Sequence, residues 1–147
     1  MKRTKQTLGL PLDPSFLVPE PALVYFREAL GTALILLASG SELQLILASA
    51  ERLHAEGVAA RCVSMPSWDL FDAQAQRYRD EVLPPNVRAR LVLELGAVQG
   101  WHRYVDDQGG VMGMERFGAS APASVLMREF GFTIDEVLTR ARRLLSS

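Results

Sequence analysis

The sequence predicts an α/β domain in three layers, with helices on both faces of a mainly parallel sheet of four to five strands. Two observations carry this prediction. Short apolar runs typical of buried strands alternate with amphipathic helical segments over most of the chain, and glycine or proline stands where most of these segments end. Strands joined through helices run parallel and need right-handed crossovers, which place helices on both faces of the sheet.

The composition indicates one domain with a substantial hydrophobic core. The chain has 147 residues, 48% of them hydrophobic, and a formal net charge of -1. The apolar content excludes disorder as the main state, and the near-zero net charge argues against a basic surface built to neutralise nucleic acid phosphates. Cys62 is the only cysteine, and His54 and His102 are the only histidines, so a disulfide framework and a closed Cys/His zinc site are excluded.

Residues 1–31 are predicted to form a proline-rich arm, and residues 32–147 the α/β domain. Prolines recur between Pro11 and Pro21 and disfavour helix there. Pro21 suits the first turn of a helix, so a short helix is predicted over residues 22–30. Because the arm is too apolar for a bare linker, we expect it to pack on its own domain or on a second copy.

The first strand and helix of the domain follow directly. Residues 33–38 are apolar throughout, as in a strand covered on both faces. The next segment has a helical apolar stripe and ends at Gly57, which suits a left-handed C-cap. Its start offers two alternative capping boxes, Ser39 with Glu42 or Ser41 with Gln44. The stripe comprises Leu43, Ile46, Leu47, Ala50 and Leu53.

A second strand, a helical stretch and a third strand come next. Residues 58–65 read as the strand, and Pro66 ends it. Ser67 is a plausible N-cap for a helical stretch that continues to about Arg79. Two prolines break this stretch, and residues 91–95 form the third strand.

The C-terminal part contains shorter elements. Residues 100–105 predict a short helical piece and residues 111–114 a short strand. Residues 117–122 form a loop into a helix that continues to Phe130, and Thr133 with Glu136 forms the capping box of the last helix. The apolar side of this last helix comprises Ile134, Val137, Leu138, Ala141, Leu144 and Leu145.

Two loops are predicted anion-binding sites because each precedes a helix. Helix N-termini present unpaired N–H groups and a partial positive charge. The first loop contains Gly40 and Ser41, and the second contains Gly118 and Ser120. The favoured interpretation is simple capping at the first loop and a structural turn at the second, where Ser120 could cap the helix.

The other reactive residues favour structural roles. Cys62 lies in an apolar strand, so we expect a buried and inert thiol. His54 and His102 have no carboxylate or serine at a spacing that marks a general base. Asp69 and Asp72 share one helix face, where solvated charges are the default expectation. The sequence therefore predicts no catalytic residue and no metal site.

Several motifs nevertheless occur in a fixed order. Residues 36–42 read LLASGSE and residues 63–74 read VSMPSWDLFDAQ. Further along come Tyr78, Arg79, VLP at residues 82–84, Glu94, Gly100, Trp101, FGASAP at residues 117–122 and FGFT at residues 130–133. In this order and spacing, the set resembles the C-terminal domain of transketolases over residues 32–147, which implies the α/β fold of that domain.

The arm resembles another part of the same family. Residues 4–14 read TKQTLGLPLDP, residues 16–19 read FLVP and residues 25–27 read YFR. They are similar to the end of the N-terminal diphosphate-binding domain. In the family, that segment leads into a middle, pyrimidine-binding domain, which we expect to be absent here.

The resemblance implies chemistry for the complete enzyme and not for this chain. Transketolases transfer two-carbon ketol units between sugar phosphates, using thiamine diphosphate and a divalent metal. The family holds these cofactors through Gly-Asp-Gly followed by Asn, whereas this sequence has no Gly-Asp-Gly and its only asparagine is Asn86. The C-terminal domain of the family does not contact the thiamine cofactor. We therefore expect no cofactor in this chain, no activity from it alone and a chiefly structural role.

Three functions stay open at this point. The chain is a transketolase C-terminal domain that docks on separately encoded transketolase domains, a binding module for small anions or regulatory ligands, or a truncated remnant that forms a homo-oligomer. We expect no nucleic acid partner because of the near-zero net charge. We expect no membrane partner because no stretch matches the roughly 20 apolar residues of a membrane helix. The expected location is the cytoplasm.

Overall fold

A computed structural model of the protein describes residues 31–105, 107–114 and 118–146. The predicted arm and its helix over residues 22–30 lie outside the described residues. Within them the elements are β1 (Leu34–Ala38), α1 (Glu42–Ala55), β2 (Ala60–Ser64), α2 (Trp68–Asp72), α3 (Gln76–Val82), β3 (Arg90–Glu94), a 3-10 helix (Trp101–Tyr104), β4 (Gly110–Gly113), α4 (Ala123–Glu129) and α5 (Ile134–Leu145).

The strands form one parallel sheet in the order β2-β1-β3-β4. β1 lies at the centre, and all of its residues are buried. Leu36 pairs with Cys62 of β2 on one side and with Leu91 of β3 on the other. The prediction of a mainly parallel sheet is confirmed, with four strands in the described ranges.

Helices or loops cover both faces of the sheet, so the three predicted layers are confirmed. Leu34 and Leu36 of β1 point to the face covered by α1 and α5, where Ile46, Leu53 and Val137 complete the core. On the opposite face, a second buried cluster is packed against half-buried residues of α2 and α3. It comprises Ile35, Leu37, Val63, Met65, Leu83, Val87, Val92, Trp101 and Tyr104.

The helical stretch predicted from Ser67 to about Arg79 is wrong as a single helix. Ser67 caps α2, with its hydroxyl accepting the Leu70 N–H, but α2 ends at Asp72. Ala75 then adopts an extended conformation with ψ of 147°, and α3 begins at Gln76. The sequence gives no signal for this break because residues 73–75 contain neither glycine nor proline.

Other boundaries differ by smaller amounts. β2 is shorter than residues 58–65, while β3 and β4 each begin and end one residue earlier than predicted. Gly57 ends α1 with φ of +81°, as expected for a left-handed C-cap. Leu145 is 37% exposed and does not join the buried side of α5, whereas Leu144 in the same turn packs against the core.

The capping box predicted for α5 forms only in half. The Thr133 hydroxyl accepts the Glu136 N–H at 3.3 Å. The Glu136 carboxylate binds Arg140 at 2.8 Å instead of reaching back, and the Thr133 N–H donates to the Gly131 carbonyl. Among the described helices, none is long and apolar enough to cross a membrane.

Cys62 lies in β2 with 1% of its surface exposed, as predicted. Burial, with a smaller contribution from the negative charge of Glu51, raises the pKa of the thiol from 9.0 to about 12. At pH 8 the thiolate is about a thousandfold rarer in the folded protein than in the unfolded chain. We therefore expect iodoacetamide to alkylate native protein far more slowly than protein unfolded in urea. Similar rates in both states would contradict the buried position.

The same shift predicts a pH dependence of stability. The folded state keeps the Cys62 proton to higher pH than the unfolded state, so this contribution is complete below pH 9 and is lost as pH rises toward 12. Over this range, Cys62 should lower the free energy of unfolding by about 1.4 kcal/mol for each unit that the pH rises. The Cys62→Ala variant is the control. Unfolding curves recorded at several pH values should show that its free energy of unfolding falls less steeply with pH, by that amount.

Candidate functional site

The carboxyl ends of β1 and β3 meet at one edge of the sheet and bring Ser39 and Glu94 together. The Ser39 hydroxyl donates to Glu94 Oε2 at 2.8 Å, and the Trp101 indole N–H donates to the same oxygen at 3.0 Å. The Gly96 N–H donates to Glu94 Oε1 at 2.7 Å. Three donors therefore converge on one carboxylate, which joins two strand ends to the loop after β3.

Glu42 places a second carboxylate at this edge. It is the first residue of α1, is 4% exposed and accepts the Leu95 N–H on Oε1 at 2.8 Å. A carboxylate is favourable in the first turn because the helix dipole is positive there. The N-terminus of α1 therefore already carries a negative charge, tied to the residue that follows β3.

The two capping boxes predicted for α1 are both wrong. Ser41 takes the N-cap position with helical angles, φ of -62° and ψ of -24°, and makes no side-chain capping hydrogen bond. Ser39 and Glu42 do not face each other in a box because their polar groups bind Glu94 and Leu95. Hydrogen bonds to residues more than fifty positions away in the sequence thus replace the predicted local capping boxes.

The predicted anion site has exposed residues but an acidic neighbour. Gly40, Ser41, Gly118 and Ser120 are all exposed. A Cβ built on Gly40 would lie 3.1 Å from Glu42 Oε2, so a bound anion at this loop would meet a carboxylate. The anion site stays a prediction, and the charge at its first loop opposes it.

The second loop also differs from the capping interpretation. Pro122, and not Ser120, occupies the N-cap position of α4, and no side chain caps this helix. Pro122 is extended, with ψ of 139°, so the helix begins only at Ala123. Ser120 as the cap of α4 is therefore a wrong prediction.

An aromatic cluster that includes Trp101 packs next to the carboxyl edge. Trp101 is 1% exposed, and its ring lies 5.2 Å from that of Trp68 in an edge-on arrangement. Tyr104 lies 6.0 Å from both of these rings. Gly100 permits this packing, because it has φ of +91° and a Cβ there would lie 2.7 Å from the Trp68 ring.

Asp72 contacts this cluster and is only partly solvated, with 37% of its side chain exposed, so the expectation of a solvated helix charge holds for it only in part. Its Oδ1 accepts the Tyr104 hydroxyl at 3.1 Å, and its Oδ2 pairs with Arg103 at 2.8 Å. Burial, and then the hydrogen bond to Asp72, raise the pKa of Tyr104. Asp69 is exposed, as expected.

The remaining candidates are dispersed. His54 lies with Nε2 2.9 Å from the Ala60 carbonyl oxygen and 3.1 Å from the Ala60 nitrogen, which secures the start of β2. His102 is exposed on the 3-10 helix. Across the part of the chain that the structure describes, no three His, Cys, Asp or Glu side chains form a group able to hold a metal ion.

Glu94→Gln tests the importance of the carboxylate. The amide keeps the shape but presents two N–H donors where Ser39, Gly96 and Trp101 also donate, so at least one hydrogen bond is lost. We expect the free energy of unfolding to fall by about 1.5–3 kcal/mol, measured by urea unfolding.

Glu129→Gln is the matched control for this variant. Its side chain is 64% exposed on α4 and lies 3.7 Å from Arg128, an exposed pair that contributes little. We expect a change within about 0.5 kcal/mol. Equal effects of the two substitutions would show that Glu94 does not organise the edge.

The comparison with known families identifies the domain. The model of the transketolase-like TK C-terminal domain matches residues 24–133. The chain belongs to the transketolase family. The match begins within the predicted arm, eight residues before the predicted boundary at residue 32, and the division into arm and domain stays a prediction.

Curated transketolases support this membership. The chain is 53% identical over 114 residues to the transketolase of Halalkalibacterium halodurans and 52% identical over 112 residues to transketolase 1 of Escherichia coli. These matches cover 78% and 76% of the chain but 17% of each relative. The chain therefore spans about one sixth of the length of the transketolases that it matches.

Solved transketolase structures share the fold. The structure from Leishmania mexicana has a TM-score of 0.72 and 42% identity, covering 78% of this chain and 16% of that one. A structure described as a split-gene transketolase, an inactive beta4 tetramer, has a TM-score of 0.58 and covers 79% of this chain and 40% of that one. At 20% identity, this second likeness shows the fold alone.

The carboxyl edge does not fit thiamine diphosphate. A diphosphate needs cationic or N–H donors, whereas this edge presents the carboxylates of Glu42 and Glu94, which already accept hydrogen bonds from the protein. The family motif Gly-Asp-Gly is also absent from the sequence. No step of a reaction is therefore assigned to this cofactor within the chain.

Sequence reasoning missed the role of Glu94 as the residue that joins the edge. One signal was present, because Ser39 and Glu94 each stand at the end of an apolar run. Carboxyl ends of parallel strands meet at the same edge, so neighbouring strands would bring the two side chains together. The strand order, which the sequence does not state, was the missing information.

Proposed function

We propose that this chain is the C-terminal assembly domain of a transketolase and has no catalytic residue of its own. The observation that carries the proposal is the hydrogen-bonded carboxyl edge. In open α/β sheets this edge is where ligands bind. Here Ser39 and Trp101 both donate to Glu94, and Glu42 accepts the backbone N–H of Leu95 after β3. The edge supports a structural role within a family whose longer members are complete transketolases.

The proposal extends to partners. The match covers about one sixth of each relative, so a ketol-transfer enzyme built with this chain needs further transketolase domains. We propose that these further transketolase domains are separately encoded and that they hold the thiamine diphosphate and the divalent metal. The split-gene transketolase is a precedent for such a division within the same fold. The proposed location is the cytoplasm.

Ketol transfer between sugar phosphates tests the proposal. The pure chain, supplied with thiamine diphosphate and Mg²⁺, is expected to show no turnover. Escherichia coli transketolase cut before its C-terminal domain is then assayed with and without this chain. We expect the chain to co-elute with the shortened enzyme and to raise its activity or its resistance to heat.

The outcomes of this experiment separate the alternatives. Turnover by the pure chain would overturn the structural role. Failure to associate would argue against docking on separate domains and favour a remnant. Light scattering of the full chain then decides whether it forms a homo-oligomer, and a monomeric mass at high protein concentration would remove that alternative.

A further inference from the structure

We draw no further inference here: the strongest candidate, the open cleft of about 340 Å³ between β4 and the turn from α4 to α5, carries nothing, because its charged residues Glu136 and Arg140 pair with each other and nothing in the structure shows what covers it.

Discussion

Replacing Trp101 with alanine is expected to lower the free energy of unfolding by about 3–5 kcal/mol. The indole is 1% exposed, packs edge-on against Trp68 and donates its N–H to Glu94. Its removal leaves a cavity beside the sheet and takes one of three donors from a carboxylate. Urea unfolding followed by circular dichroism should show a lower midpoint with an unchanged slope.

Two variants separate packing from hydrogen bonding at this position. Trp101→Phe keeps most of the ring contacts and loses the N–H, so we expect about 1–3 kcal/mol of destabilisation. Trp68→Ala removes the same side chain from the same cluster at a half-buried position and should cost less than Trp101→Ala. If Trp68→Ala cost more, the centre of the cluster would lie at Trp68 and not at Trp101.

The Gly113→Ala variant has the second large expected effect. A Cβ on Gly113 would overlap Val98 Cγ1 and lie 3.2 Å from the Glu94 carbonyl oxygen. The first contact requires the Val98 side chain to rotate or the loop after β3 to move, and the second involves backbone that has little freedom to move. We expect the free energy of unfolding to fall by about 3 kcal/mol, the upper end of overpacking costs, measured by the same method.

The strand itself offers the matched control. At Gly110, also in β4, a Cβ would approach Leu91 Cδ1 to 3.7 Å, which is ordinary contact. Gly110→Ala should therefore be neutral or stabilise by about 0.5–1 kcal/mol. Adding Val98→Ala to Gly113→Ala should restore part of the loss. Equal losses at both glycines, with no rescue, would mean that the contact with Val98 is not the cause.

Local sequence patterns correctly predicted the elements in which all the apolar positions face the hydrophobic core. β1 is apolar at every position and is buried at every position, because helices or loops cover both faces of the sheet. In the α1 stripe, Ile46, Ala50 and Leu53 are buried and Leu43 and Leu47 pack at its margin. In such segments the spacing of the apolar residues is enough to predict the element.

Prediction failed where two partners competed for the same group. Ser39 had a nearby capping role open to it, yet its hydroxyl binds Glu94, which lies 55 residues further along the chain. Asp72 was expected to interact with water alone, yet Tyr104 and Arg103 of the 3-10 helix bind its partly exposed carboxylate. Such outcomes depend on which strands are neighbours, and no spacing in the sequence records that.

The central position of β1 has a consequence for how the chain acquires its fold. Leu36 of β1 pairs with Cys62, 26 positions later, and with Leu91, 55 positions later. Both pairings require closure of long loops, which slows folding. During synthesis, the most apolar strand therefore emerges well before its second neighbour exists. A product interrupted between β2 and β3 would expose one open edge of that strand, and such edges promote aggregation.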